Sequence, residues 1–130
     1  MENRRLNLSR NRAERAFEYV QEVNGNPIAQ KYKSLVRKTP MRIKVNGLDA
    51  TLAFVFSKKK TGNQHALLYE QLQKWLIEND MVAANKEFVE YVIALEKNEY
   101  RVVTNELLAF LTWLRRFADG MIEGEEDDET

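Results

Sequence analysis

The chain has no cysteine, which excludes disulfides, thiolate metal sites and cysteine nucleophiles. It has one histidine, His65, which without cysteine makes a poor start for a zinc site of three or four ligands. Its five glycines are scattered, and Lys60-Thr61-Gly62 lacks the upstream glycines of a phosphate-cradling loop. No apolar run approaches the roughly 20 residues that span a bilayer. The charged start, Met1-Glu-Asn-Arg-Arg, is not followed by the apolar stretch of a signal peptide. The absence of cysteine is compatible with a reducing compartment, and a cytoplasmic location without membrane contact is expected.

What is present is a globular composition: 130 residues, 44% hydrophobic and 31% charged. That suffices for one domain with one core. Net charge is zero, but the charges are segregated. Residues 1–60 carry 14 Lys/Arg against 5 Asp/Glu, and residues 61–130 carry 6 against 15. Seven of those acids fall in Asp119–Thr130, so the body before them is basic, at +7. A basic body favours polyanionic partners, nucleic acid first, although solvated surface charge gives the same count.

Helical periodicity accounts for most of the chain. Residues 9–24 read as a helix with Ala13, Ala16, Phe17, Val20 and Val23 on one face, Ser9 as its cap and Gly25 closing it. Asn26-Pro27 restarts the chain. Ile28, Tyr32, Leu35 and Val36 then form a stripe, with Lys31, Lys33, Arg37 and Lys38 opposite, and Pro40 is expected to stop this helix. Lys58–Gly62 reads as a basic loop. Asn63 caps a helix placing Ala66, Leu67, Leu72, Trp75 and Leu76 inward, and Asn79-Asp80 breaks it. A further helix covers about Asn85–Glu96, burying Phe88, Val89, Val92 and Leu95. Asn98 is expected to cap the last helix, where Leu107, Leu111, Leu114, Ala118 and Met121 repeat at steps of four and three, thickened by Phe110 and Trp113.

Residues 41–57 fit two templates. Asn46-Gly47 between alternating Arg42-Ile-Lys-Val and the strand formers Thr51-Leu-Ala-Phe-Val-Phe is a hairpin signal. Met41, Val45, Leu48, Leu52, Val55 and Phe56 fit a helical stripe equally well.

Residues suited to catalysis are few. The serines are Ser9, Ser34 and Ser57, none at a spacing that implies a nucleophile–base set. A lone histidine near a helix start is expected at the surface. The acids of Glu125–Glu129 lie in a tail with nothing apolar to bury, which should be disordered and cannot fix the octahedral geometry of magnesium. The buried-stripe aromatics read as core, leaving Tyr19, Tyr69 and Tyr91 freer for partner contact. The remaining chemistry is positive charge: Arg37, Lys38, Arg42, Lys44, Lys58, Lys59, Lys60, Arg115 and Arg116. Such residues neutralise phosphates without reading sequence. A helical DNA-binding regulator, another helical scaffold protein and a small metal-dependent nuclease are the competing classes. Arg115-Arg116 on the last helix is the one feature that leans toward the regulator, and a nuclease would need an acidic cluster embedded in the fold.

Several segments in order resemble one family: Arg12-Ala-x-x-Ala-Phe17, Tyr32-Lys-Ser-Leu-Val-Arg-Lys-Thr-Pro40, Ile43-x-x-Asn-Gly-Leu48, Thr51-Leu-Ala-Phe54 with Ser57-Lys-Lys-Lys60, Leu68-Tyr-x-x-Leu-x-x-Trp-Leu76, and Tyr100-Arg-x-x-Thr-x-Glu-x-Leu-Ala-Phe-Leu-x-Trp-Leu-Arg-Arg-Phe-Ala118. Together they are similar to the small subunit of the Cmr-type (type III-B) CRISPR effector complex. The resemblance implies an all-α, single-domain bundle of about five to six helices over residues 1–121, with Asn46-Gly47 inside or between helical segments. The disordered acidic tail, residues 122–130, falls outside the resemblance. It implies a non-catalytic, cofactor-free subunit of an antiviral complex. Such a subunit stacks with further copies of itself in a filament beside the backbone and large subunits. Its basic faces line the channel where guide RNA pairs with target RNA. Specificity in such a machine comes from base pairing, and the protein supplies backbone electrostatics.

Overall fold

The computed structural model describes residues 2–126, with side chains from Asn7 onward. Its elements are all helices: α1 (Glu2–Val23), α2 (Ala29–Asn46), α3 (Leu48–Lys58), α4 (Gln64–Glu78), α5 (Phe88–Ile93) and α6 (Lys97–Met121). No strand occurs among the described residues. The long α6 lies along α1 and α2, α4 packs against α2 and α3, and α5 closes over α3. One core runs through all six, with Val20, Leu35, Leu52, Leu72, Phe88 and Leu111 all at or near zero exposure.

α1 begins at Glu2, so Ser9 lies inside it and does not cap it. The apolar stripe reaches back past the expected boundary at residue 9, because Leu8 also packs on the core. Ala16, Val20 and Val23 are buried as their spacing requires. Phe17 stands at the stripe's edge, 42% exposed, and meets the Phe117 ring edge-on. Gly25, with φ +89°, turns the chain after α1. Asn26 Oδ1 then accepts from the Ile28 amide at 3.1 Å, where the chain restarts.

Pro40 does not end α2, which continues to Asn46. A proline ring has helical φ and forfeits a single backbone bond, to the carbonyl of Val36. Burial of Thr39 and Ile43 on either side offsets that loss. Thr39 Oγ1 also donates to the Leu35 carbonyl at 2.7 Å, next to the gap.

The hairpin template at 41–57 gives way to two helices joined at Gly47, whose φ of +92° and ψ of 159° no residue with a side chain adopts comfortably. The positive-φ signal in Asn46-Gly47 is therefore genuine but serves a corner between helices. Because the helical frame breaks there, one stripe cannot run through it. Ile43, Leu48, Thr51, Leu52 and Val55 go inward, while Met41 and Val45 stand 62% and 70% exposed.

Two tyrosine hydroxyls from distant elements cap helix starts that lack local caps. Tyr100 Oη on α6 accepts from the amides of Leu48 and Asp49 at 2.9 and 3.2 Å and donates to Asp49 Oδ1 at 3.0 Å. Tyr69 Oη on α4 accepts from the Val89 amide at 3.0 Å and donates to Glu87 at 2.5 Å, at the start of α5. Tyr69 is thus buried, against the expectation of a free surface ring; Tyr19 and Tyr91 are half-buried. Desolvation first, then the Glu87 bond, pushes the Tyr69 phenol far above its ordinary pKa.

α4 has the expected cap, with Asn63 Oδ1 accepting from the Ala66 amide at 2.8 Å. Ala66 and Leu67 are half-buried, whereas Leu68 and Tyr69 take the inner face. α5 is shorter than the expected Asn85–Glu96. α6 starts at Lys97 after Glu96, so Asn98 lies inside the helix rather than at its cap.

A fixed polar contact joins three of the helices. Glu106 on α6 is 6% exposed and accepts from Arg12 Nε and an Arg12 terminal nitrogen, each at 2.8 Å, and from the Trp75 indole N–H at 2.9 Å.

The α2–α3 corner gives a direct test. Tyr100→Phe removes the cap and should cost about 1–2 kcal/mol of unfolding free energy. Gly47→Ala should cost about 2–3 kcal/mol, since it forces positive φ and brings a Cβ against the Tyr100 hydroxyl. In urea titrations the double variant should lose less than the sum of the two, because both act on the same contact. Strict additivity would separate glycine from cap.

Candidate nucleic-acid interface

The bend at Gly47 folds α3 back beside α2 and brings charges distant in sequence onto one half-exposed ring, Phe54. The Arg42 guanidinium from α2 lies 4.7 Å from its centroid. Lys58 Nζ from the end of α3 lies 6.0 Å away. Beneath, His65 meets Phe54 edge-on at 6.3 Å and is 3% exposed, so the lone histidine is a core residue and not the surface residue expected. It is buried because α4 starts under α3, turning its first two residues, Gln64 and His65, inward.

Lys59 continues this arrangement. Its Nζ sits 4.8 Å from the Phe56 ring and 4.6 Å from Tyr69, and those rings lie 5.8 Å apart. Cations over aromatic faces have their aliphatic stems held in place. Lys60 follows, exposed. Lys38, Met41, Arg42, Val45 and Asn46 line a shallow depression that runs on past Ala50 and Thr51 to Phe54. The result is a basic surface with aromatic and aliphatic footing, drawn from two helices and a loop.

The other sequence candidates lie elsewhere. Arg37 faces α6 and the segment after it, donating to Glu125 at 2.6 Å and lying 4.0 Å from Asp119. The Glu125 hydrogen bond, reinforced by the Glu125 and Asp119 charges, raises its pKa further above the arginine range. Lys44, seven residues on, shares that side of α2 and is exposed. Arg115 is exposed one turn before Asp119. Arg116 sits 5.5 Å from the Trp113 ring, beside the Phe17–Phe117 pair. The nine candidates therefore divide: Lys38, Arg42, Lys58, Lys59 and Lys60 converge, Arg37, Lys44 and Arg115 border the α2–α6 seam, and Arg116 joins an aromatic patch on α1 and α6.

Sequence reading missed Phe54 as the platform, because its pairing with Arg42 depends on the angle at Gly47. It placed Lys31 and Lys33 opposite the apolar stripe of α2 but did not carry them into the candidate set. Among the described residues no three His, Asp or Glu side chains are grouped to hold a metal ion. No helix is long and apolar enough to cross a membrane.

Comparison with known proteins gives consistent results. The family model described as "CRISPR-associated protein (Cas_Cmr5)" matches residues 8–121. A relative named CRISPR system Cmr subunit Cmr5, from Thermus thermophilus, is 32% identical over 111 residues, covering 85% of this chain and 92% of its own. The crystal structure of a CRISPR-associated Cmr5 family protein, also from Thermus thermophilus, superposes with a TM-score of 0.75 at 28% identity, over 89% of this chain and 97% of that one.

The Phe54 platform predicts measurable coupling. Arg42→Ala should cost about 0.5–1 kcal/mol more in the native background than in a Phe54→Leu background, because the ring supplies the cation–π contact. A double-mutant cycle by urea unfolding checks this, and zero coupling would show that Arg42 gains nothing from the ring.

Proposed function

The chain belongs to the CRISPR-associated Cmr5 family, and on that premise we propose that it is a non-catalytic small subunit of a type III-B effector complex, stacking in a filament and contacting the guide–target RNA backbone through its basic surface. Its partners are then the backbone and large subunits, further copies of itself, and the guide and target RNAs.

The observation that carries this reading is the convergence of Arg42, Lys58 and Lys59 on the Phe54–Phe56–Tyr69 rings. Phosphates need positive charge held at the surface. They do not need a reading edge, because pairing with the guide supplies sequence. One subunit offers few phosphate contacts, so affinity for RNA should be weak for a single copy. It rises by linkage when copies stand in line along the strand. The non-catalytic role is supported by the placement of the single imidazole, which is buried against Phe54 rather than presented to a substrate. Cytoplasmic action follows from the same reading, since the complex meets its target RNA there.

Replacing Lys58, Lys59 and Lys60 by alanine in the reconstituted complex should weaken target RNA alike for every guide sequence. The log–log salt slope should become shallower by about 0.7–0.9 per lost contact. A loss confined to some target sequences would contradict backbone binding. Unchanged RNA affinity with failed assembly would assign these lysines to protein contacts. The isolated subunit, incubated with RNA or DNA and magnesium or manganese, should cleave neither; cleavage abolished by a substitution within this chain would overturn the non-catalytic reading.

A further inference from the structure

The acidic segment after α6 does not simply leave the body. Ile122 is 3% exposed and anchors the chain in the core. Beyond it, Gly124 adopts φ +72°, and the next residues lie against the first half of α2. Lys33 Nζ donates to the Ile122 carbonyl at 2.8 Å and Gln30 Nε2 to the Glu123 carbonyl at 2.9 Å. The Glu126 amide donates to the Gln30 carbonyl at 3.3 Å. Arg37 pairs with Glu125 at 2.6 Å, and Lys31 with Glu126 at 3.5 Å. Residues 127–130 lie outside the described residues.

These contacts have two parts. The backbone bonds from Gln30 and Lys33 define a seat, and the carboxylates occupy the cations around it. A carboxylate on a guanidinium occupies the same donors that a phosphate oxygen would take. Exposed ion pairs are individually weak and screened by salt, so the segment is held loosely enough to be displaced by a denser polyanion.

We propose that Glu123–Glu126 is an intramolecular competitor that covers Lys31, Lys33 and Arg37 of the free subunit and is displaced by the RNA backbone. This rests on the phosphate-binding reading above and adds that the cationic face of α2 is opened only where RNA phosphates are concentrated, as in the assembled channel. Free subunits would thereby be kept off other RNAs.

The test separates docking from net charge with a variant that alters no charge. Gly124→Val places a β-branched residue at positive φ, with its Cβ 2.9 Å from Gln30 Nε2. Full-length native protein, Gly124→Val and Gly124→Val/Arg37→Ala are compared in two ways. Docking is read as the rate of cleavage after Glu123 and Glu125 by a glutamate-specific protease. Masking is read as fluorescence anisotropy of a labelled 20-nucleotide oligouridylate across a salt series. Native cleavage should be slow at low salt and speed up with salt, and Gly124→Val should raise the low-salt rate roughly tenfold. The same variant should bind the oligonucleotide about fivefold more tightly at low salt, with a salt slope steeper by about 0.7 per uncovered cation. Adding Arg37→Ala should remove most of that gain. Faster cleavage with unchanged RNA affinity would show a docked segment that does not compete, and would overturn the proposal. Equal cleavage of native and variant chains at all salt concentrations would show that no latch exists. If no variant bound the oligonucleotide while cleavage responded as expected, the phosphate-binding reading itself would fall, and the competition with it.

Discussion

The bundle depends on one buried carboxylate. Glu106 lies near the middle of α6, where an unpaired acid would be strongly unfavourable. Its two oxygens are taken by the fork of Arg12 from α1 and the indole N–H of Trp75 from α4. The bidentate geometry specifies both distance and angle. The indole whose N–H reaches Glu106 also stacks flat on Phe110, one turn further along α6, at 4.6 Å. The register of α1 against α6, and of α4 against both, is thus set by a contact that tolerates no sliding. Apolar side chains at i, i+4, i+7 would pack nearly as well one turn displaced, but a buried acid with three donors would not. Desolvation offsets much of the attraction within such a pair, so its presence alone adds little net stability.

With those three helices held, the remaining freedom is the path from α2 to α3. Gly47 makes the corner, and the Tyr100 hydroxyl from the first turn of α6 satisfies two amides that the corner exposes. α6 therefore orients the core through Glu106 and, about a turn and a half away, orients α3 through Tyr100. The direction of α3 decides where Phe54 and Phe56 emerge, and so where Arg42, Lys58 and Lys59 find rings to rest on. The basic surface is a consequence of the corner rather than of any local motif.

The sequence made the helices legible where burial is one-sided and caps are local. α4 shows this with Asn63, and α6 with its four-three repeat ending at Met121. It misled where a tertiary partner overrides the local rule. Pro40 usually stops a helix, yet flanking burial carries α2 through it. Asn46-Gly47 signals positive φ correctly, but local residues do not say whether two strands or two helices meet there. Only the resemblance to a helical family removed the hairpin, and Tyr100, some fifty residues away, is the physical reason the alternative holds. The same is true of His65, buried because of how α4 enters beneath α3. The site was half readable. The charged residues were evident from composition, but their division into one convergent group and a separate α2–α6 seam depends on helix angles.

That division bears on how a chain of zero net charge can serve a polyanion. Over the whole molecule, attraction and repulsion cancel beyond about one Debye length, roughly 8 Å at physiological salt. Only the local arrangement then matters. On the α3 side, Lys58 and Lys59 rest near aromatic rings, which hold a cation without neutralising it. On the α2–α6 side, Arg37 is already matched by Glu125 and Asp119. On the proposed reading, Lys58 and Lys59 would meet phosphates directly, whereas Arg37 would do so only when a competing anion displaces the carboxylates. A single phosphate has little advantage over a tethered carboxylate, whose effective concentration is high. In the proposed filament, a duplex backbone held against several stacked subunits would present phosphates at comparable effective concentration and with counterions to release. Under that proposal, assembly and charge exposure would be coupled by mass action alone, without any change in the fold of the bundle.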